Sequence, residues 1–254
     1  MNSDEELWLP RRGLRSDADV QLFCIPHAGG GTASYHGWTT DISPTIDVIP
    51  ILLPGRERRF AEPANNDLKT TVKNIADALT SCVRAPFAIF GHSMGALIGF
   101  ELCRELRRRT HPLPVVLIVA AFRAPHLPAT STPLHKLPDS EFVEAIQKRF
   151  RGIPDEVANN AELLQLFLPT LRADITSIEN YQYEDESPLS CPLLALGGTE
   201  DTQVAPAELA AWRRHTTGEF VQKMIPGGHF FVTERRSETI RLVERELLRR
   251  VPQS

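Results

Sequence analysis

The sequence predicts an α/β protein with a mostly parallel central sheet, flanked by helices and interrupted by a helical insertion. Three observations carry this. Short apolar runs alternate with amphipathic stretches over most of the 254 residues, each run ends in turn residues, and one long segment, 123–190, breaks the alternation. Such alternation puts helices on both faces of a parallel sheet. The ligand site of such a sheet lies at the carboxyl ends of its strands, so reactive residues are sought in the loops that follow them.

Six runs read as strands: VQLFCI from Val20, VIPILL from Val48, FAIF from Phe87, VVLIVA from Val115, LLAL from Leu193 and FVQKMI from Phe220. The intervening helices show as apolar residues at helical spacing. Leu68, Val72, Ile75, Ala76, Leu79 and Val83 form one set, Leu97, Phe100 and Cys103 a second, and Ile240, Val243 and Leu247 a third. Within 123–190 there is no strand pattern and three amphipathic stretches replace it. Phe142, Val143, Ile146 and Phe150 mark the first, Leu163, Leu164 and Phe167 the second, and Leu171, Ile175 and Ile178 the third. A long ordered detour from one sheet reads as a helical lid over the site, within a single domain spanning 1–254. Phe142 and Phe167 are then candidates to line the channel beneath it, or else to pack the lid's own core.

Composition excludes several function classes. With 28 basic and 32 acidic residues the formal charge is −4, which offers no basic field for nucleic acid. The amino terminus MNSDEELWLPRR has acids where a signal peptide needs basic residues and an apolar run, and no stretch approaches the ~18 apolar residues of a membrane span. A cytoplasmic protein with no membrane role is expected, taken as a monomer. Cys24, Cys82, Cys103 and Cys191 have no ligand or redox spacing and read as free thiols among apolar neighbours. No H-E-x-x-H or Cys/His cluster suggests a metal, and no cofactor is called for.

Gly91-His92-Ser93-Met94-Gly95 fits G-x-S-x-G between the strand FAIF and an amphipathic helix beginning near Ala96. In α/β-hydrolases this sharp turn lifts the serine hydroxyl clear of the sheet, and the triad partners follow in the order Ser, Asp or Glu, His. A serine is a weak nucleophile and needs a base held in the right tautomer by an acid. After LLAL comes Gly197-Gly198-Thr199-Glu200-Asp201, which supplies two candidate acids. After FVQKMI comes Pro226-Gly227-Gly228-His229, which supplies the base.

Of the other histidines, His36, His111, His126, His135 and His215 read as surface residues in polar or proline-flanked segments, and His92 as a support of the turn. His27 opens His27-Ala28-Gly29-Gly30-Gly31 directly after the first strand. This fold builds its oxyanion hole from the N–H after the nucleophile, here Met94, and an N–H from an early post-strand loop, for which Ala28 is the candidate. A phosphate-cradling loop is a weaker reading, since the G-K-[ST] ending of a P-loop is missing.

Six segments together, IPHAGGG from Ile25, LPGRERRF from Leu53, FGHSMGA from Phe90, LPTLRADI from Leu168, GGTED from Gly197 and GGHFFV from Gly227, resemble the type II thioesterases of polyketide and non-ribosomal peptide synthesis. They occur in order over nearly the whole chain. The resemblance implies a triad of Ser93, Asp201 and His229, with Asp201 preferred over Glu200, and supports Ala28 and Met94 as oxyanion donors. It implies hydrolysis of stalled or wrong acyl groups from the 4′-phosphopantetheine arm of acyl or peptidyl carrier proteins, and a mobile lid. The segment RFRGIPDEV from Arg149 is less glycine-rich than that family suggests. Exposed arginines such as Arg58 and Arg59 would meet an acidic carrier.

Three other functions share these residues: a product-releasing type I thioesterase, a general acyl-CoA thioesterase or carboxylesterase, and a non-catalytic acyl-carrier-binding protein. A chain running from Met1 to just past its last helix, without carrier-domain sequence, favours an enzyme that meets its carrier in trans.

Overall fold

The computed structural model describes residues 3–251 apart from 11–14, 16, 85, 130–131, 151 and 154. Positions 151 and 154 of the segment RFRGIPDEV therefore lie outside the described residues. Six strands, β1 (Val20–Ile25), β2 (Ile46–Pro50), β3 (Phe87–His92), β4 (Leu117–Ala120), β5 (Leu193–Gly198) and β6 (Phe220–Ile225), form one sheet in the order β2-β1-β3-β4-β5-β6. Every neighbouring pair is parallel. The helices are α1 (Ser3–Trp8), α2 (Trp38–Asp41), α3 (Leu68–Thr80), α4 (Met94–Arg108), α5 (Asp139–Phe150), α6 (Asp155–Ala158), α7 (Ala161–Glu179), α8 (Pro206–Ala210), α9 (Phe231–Glu234) and α10 (Arg236–Leu248).

Parallel strands covered on both faces need apolar residues at successive positions, not only alternate ones. In β1, Phe23 and Ile25 join Ile75 and Leu79 of α3 and Leu97 and Leu102 of α4 in one core. Val20, Leu22 and Cys24 point the other way, into a second core with Trp38 of α2 and Ile240, Val243 and Leu247 of α10. The sheet thus separates two cores, and its strand ends all leave on one side because the strands are parallel.

Two strand limits differ from the sequence pattern. β2 starts two residues before Val48 and ends at Pro50, although Ile51, Leu52 and Leu53 stay buried. β4 starts at Leu117, two residues after Val115, although the Val115 N–H already donates to Phe87 O of β3 at 2.8 Å. Within 123–190 the helices are α5, α6 and α7, and the second and third apolar stretches lie on one helix, α7, with Pro169 inside it. That proline removes the donor for the Gln165 carbonyl, yet both residues are exposed, so water can serve that carbonyl without breaking the helix. A third core holds the insertion together: Leu134, Phe142, Ile146, Ile153, Leu168, Leu171 and Ile175.

Candidate active site

β3 ends at His92 and α4 begins at Met94, so Ser93 alone makes the corner between them, at φ 53° and ψ −115°. A non-glycine residue held there costs on the order of 1–3 kcal/mol and persists only if its surroundings enforce it. Here the Ser93 N–H donates to Ala120 O at 2.8 Å and the Ser93 carbonyl accepts from Ala96 N at 2.9 Å. The flanking glycines are required by close approach. A Cβ on Gly91 would fall on the Gly95 carbonyl, and one on Gly95 would fall on the Ile25 carbonyl. The second contact also brings the end of β1 against the start of α4, which sets the loop carrying Ala28 beside Met94.

Ser93 Oγ lies 3.0 Å from His229 Nε2, and His229 Nδ1 lies 2.9 Å from Asp201 Oδ2. With Nδ1–H donating to the carboxylate, Nε2 is left to accept the serine proton. The other carboxylate oxygen, Oδ1, accepts from Gln203 N at 2.8 Å, and the Asp201 side chain is fully buried. Asp201 is therefore the acid brought to His229. Glu200 is exposed, and its backbone N–H donates to Gly227 O at 2.9 Å, tying the acid loop to the base loop.

His92 supports this arrangement, as its place in the motif suggested. Its Nε2–H donates to the His229 carbonyl at 2.9 Å, and the ring is buried. Burial first, and then His27 and His229, hold its pKa well below the ordinary imidazole value. His27 stands edge-on to His92 and to Phe230, donates from Nδ1 to Ala28 O at 2.9 Å, and also has its pKa lowered, mainly by burial. Both rings are neutral at neutral pH, so neither places a positive charge behind the His229 imidazole.

Among the described residues, neither the Ala28 nor the Met94 amide is paired with a protein acceptor. Met94 is the first residue of α4, where an N–H has no partner within the helix. What fixes the Ala28 loop was not anticipated from sequence. Gly29, at φ +74°, donates its N–H to Asp174 Oδ2 at 2.7 Å. Asp174, on α7, also accepts two bonds of 2.9 Å from Arg56, and Arg56 donates to Gly30 O at 2.8 Å. The side chains of this pair are only 7% and 4% exposed. One buried ion pair thus joins the HAGGG loop, the PGRE segment and the LRAD turn of the insertion. Both charges are buried and each finds its partner in the other, as buried charges require.

A cavity of about 570 Å³ opens beside Ser93 and His229 beneath the insertion. Leu97 of α4, Leu171, Ile175 and Ile178 of α7, and Ile146 and Phe150 of α5 form its apolar wall. Ala28 and His27 line it too, but Phe142 and Phe167 do not. Phe142 is fully buried in the insertion core under the Arg172 guanidinium, and the ring edge of Phe167 packs against Gly29. The ring nearest the chemistry is that of Phe150, 5.3 Å from His229.

Three histidines expected at the surface are engaged instead. His135 Nδ1 pairs with Glu179 at 2.6 Å, His215 is buried, and His126 Nδ1 meets His215 Nε2 at 2.7 Å. Arg59 is also only 5% exposed, bonded to Glu62 and to Leu52 O and stacked over Trp8, whereas Arg58 is exposed. Cys24, Cys103 and Cys191 are buried and all four cysteines are free. Among the described residues no helix is long and apolar enough to cross a membrane, and no group of three or more His, Cys, Asp or Glu is placed to hold a metal ion.

The chain matches the family model of the thioesterase domain over residues 20–247. Linear gramicidin dehydrogenase LgrE of Brevibacillus parabrevis is 40% identical over 243 residues, covering 94% of this chain and 92% of that one. Thioesterase PikA5 of Streptomyces venezuelae is 33% identical over 249 residues, covering 98% and 88%. Among solved structures, the type II thioesterase BorB from the borrelidin biosynthetic cluster superposes with a TM-score of 0.86 at 34% identity, covering 97% of this chain and 100% of that one. The sheet order, the family match over most of the length and these likenesses agree: the chain has the α/β-hydrolase fold and belongs to the thioesterase family, among the type II thioesterases of polyketide and non-ribosomal peptide synthesis.

Proposed function

We propose that this enzyme hydrolyses acyl groups from the 4′-phosphopantetheine arm of acyl or peptidyl carrier proteins, clearing stalled or misprimed synthases, with Ser93 as nucleophile, His229 as base and Asp201 as the orienting acid. The observation that supports this most is the hydrogen-bonded series Ser93–His229–Asp201 at the foot of an apolar-walled cavity. His229 Nε2 takes the Ser93 proton as Oγ attacks the thioester carbonyl. The developing oxyanion is met by the amides of Met94 and Ala28, which present N–H groups at no cost of reorganisation. Collapse expels the pantetheine thiolate, protonated by His229, and leaves an acyl group on Ser93. Water, deprotonated by the same imidazole, then attacks that ester and releases the acid. Thiolate is a good leaving group, so these residues suffice for the reaction without a cofactor of the enzyme's own.

On this reading the carrier is met in trans, in the cytoplasm, and Arg58, which is exposed, is a charge that would attract an acidic protein surface. The test compares kcat/KM for one acyl group on a carrier protein, on coenzyme A and on a short pantetheine thioester. A carrier-bound substrate better by tenfold or more supports the proposal. Equal values would leave a general acyl-CoA thioesterase, and faster cleavage of the matching oxygen ester would leave a carboxylesterase.

A further inference from the structure

The cavity changes character with distance from Ser93. Leu97 lines it one turn along α4, and just over two turns along the same helix, ~12 Å from Ser93 by helical rise, Glu101 Oε1 accepts from the Tyr181 hydroxyl at 2.7 Å. On the insertion side, Leu171, Ile175 and Ile178 of α7 give way to Tyr181 and Tyr183. Half-buried His126 lines the cavity on this side too, with its ring 6.2 Å from that of Tyr183. The apolar wall therefore gives way to polar side chains here, and Arg123, Arg149, Glu179 and Glu208 line the cavity as well.

His126 is held by a second imidazole. The 2.7 Å between His126 Nδ1 and His215 Nε2 accommodates one proton, so one ring donates and the other accepts. With that proton on His215, the remaining proton of His126 is on Nε2, which is then a donor. With it on His126 Nδ1, Nε2 is a bare acceptor. His126 Nε2 has no protein partner among the described residues. Burial holds the His215 pKa at about 4 and lowers that of His126, with Arg214 acting in the same sense on both and Asp185 against it. The pair is neutral at neutral pH and can present either hydrogen-bonding sense to the cavity.

We infer that this polar part of the cavity is a subsite for a hydroxyl group carried along the acyl chain beyond the apolar wall, with His126 as the residue that contacts it. A hydroxyl both donates and accepts, which matches a ring able to do either, and it carries no charge to be desolvated beside the apolar wall. Substrates with a remote hydroxyl are extended, partly reduced acyl chains rather than short priming units. The inference rests on the thioesterase reading above and specifies the substrate of the same site.

The experiment uses pantetheine thioesters of plain and terminally hydroxylated acyl chains, matched in length and extended stepwise from two carbons. The expected result is no preference at short lengths and a three- to tenfold higher kcat/KM for the hydroxylated chain once it reaches beyond the apolar wall, the advantage of about one net hydrogen bond. His126→Phe is expected to reduce that ratio to near one while leaving plain chains turning over, and His126→Gln to restore part of it. Equal or inverted preference at every length in the wild-type enzyme, which needs no variant to fold, would overturn the inference, as would a preference that survives His126→Phe. No turnover of any thioester would instead overturn the thioesterase reading on which it rests.

Discussion

Asp174→Asn removes the negative charge from a buried ion pair without shortening the side chain. Arg56 would then lie 7% exposed with no counter-charge, and stranding a buried charge costs about 3–5 kcal/mol. A domain of this size has ~5–15 kcal/mol in all, and each kcal/mol shifts its Tm by ~2–4 °C, so a fall of ~6–20 °C is expected in thermal denaturation. The Gly29 N–H keeps an acceptor in the new amide, but the two Arg56 bonds that hold Asp174 and the Gly30 carbonyl in register are disturbed. If that register places the neighbouring Ala28 amide, kcat falls by ~10²-fold, the scale of losing one oxyanion donor, with KM changing less than threefold. The double variant Arg56→Met, Asp174→Leu separates packing from positioning, because apolar replacement of a buried pair is often neutral in stability. Its Tm is expected to recover in part, since the Gly29 N–H and the Gly30 carbonyl lose their partners, and its kcat to stay low. Recovery of both would reduce the pair to a packing element, and a single variant within about 1 kcal/mol of wild type would refute the electrostatic reasoning.

Three further outcomes are expected. Asp201→Asn should lower acylation by ~10⁴-fold while Glu200→Gln stays within threefold, read by single-turnover kinetics, because only Asp201 touches the imidazole. Phe150→Ala should change the ranking of acyl chain lengths in a hydrolysis panel, since its ring faces both cavity and His229, whereas Phe142→Ala should lower stability by ~3–5 kcal/mol and leave that ranking alone. The His215 pKa of about 4 lies below the ~6.5 of an unfolded imidazole, so between these values the unfolded chain binds the extra proton. This contribution to stability is complete above pH ~6.5 and lost as pH falls towards 4, by about 2 kcal/mol after solvent screening. Urea unfolding at pH 7 and 4.5 should show a smaller pH dependence in His215→Phe than in wild type.

How much of this was legible beforehand follows from which forces act locally. The six strands are visible because a sheet covered on both faces needs runs such as VQLFCI, and the Ser93 corner because its glycines answer a local clash. The acid-bearing loop after Leu193–Gly198 and His229 follow from strand order, since parallel strands deliver their loops to one edge. The choice between Glu200 and Asp201 is different: adjacent residues of like chemistry are separated only by where the chain turns after Gly198. Helix periodicity shows that Phe142 is on an apolar face but not which apolar surface meets it, so channel and core readings were equivalent until α5 was packed. The Arg56–Asp174 pair and the His126–His215 pair join residues 118 and 89 positions apart. No local pattern encodes such contacts. The polar sequence neighbours of His215 point to the surface, while its neighbours in the fold are Phe100 and Trp212.

The central claim is that an acyl group passes through Ser93, and intact-protein mass spectrometry during turnover of an acyl-pantetheine thioester tests it most directly. The account predicts a transient mass gain equal to the acyl group, mapped by peptide digestion to Ser93, absent in Ser93→Ala together with at least ~10⁴-fold of the rate. Acylation mapped to another residue, or a Ser93→Ala enzyme within tenfold of wild type, would contradict it.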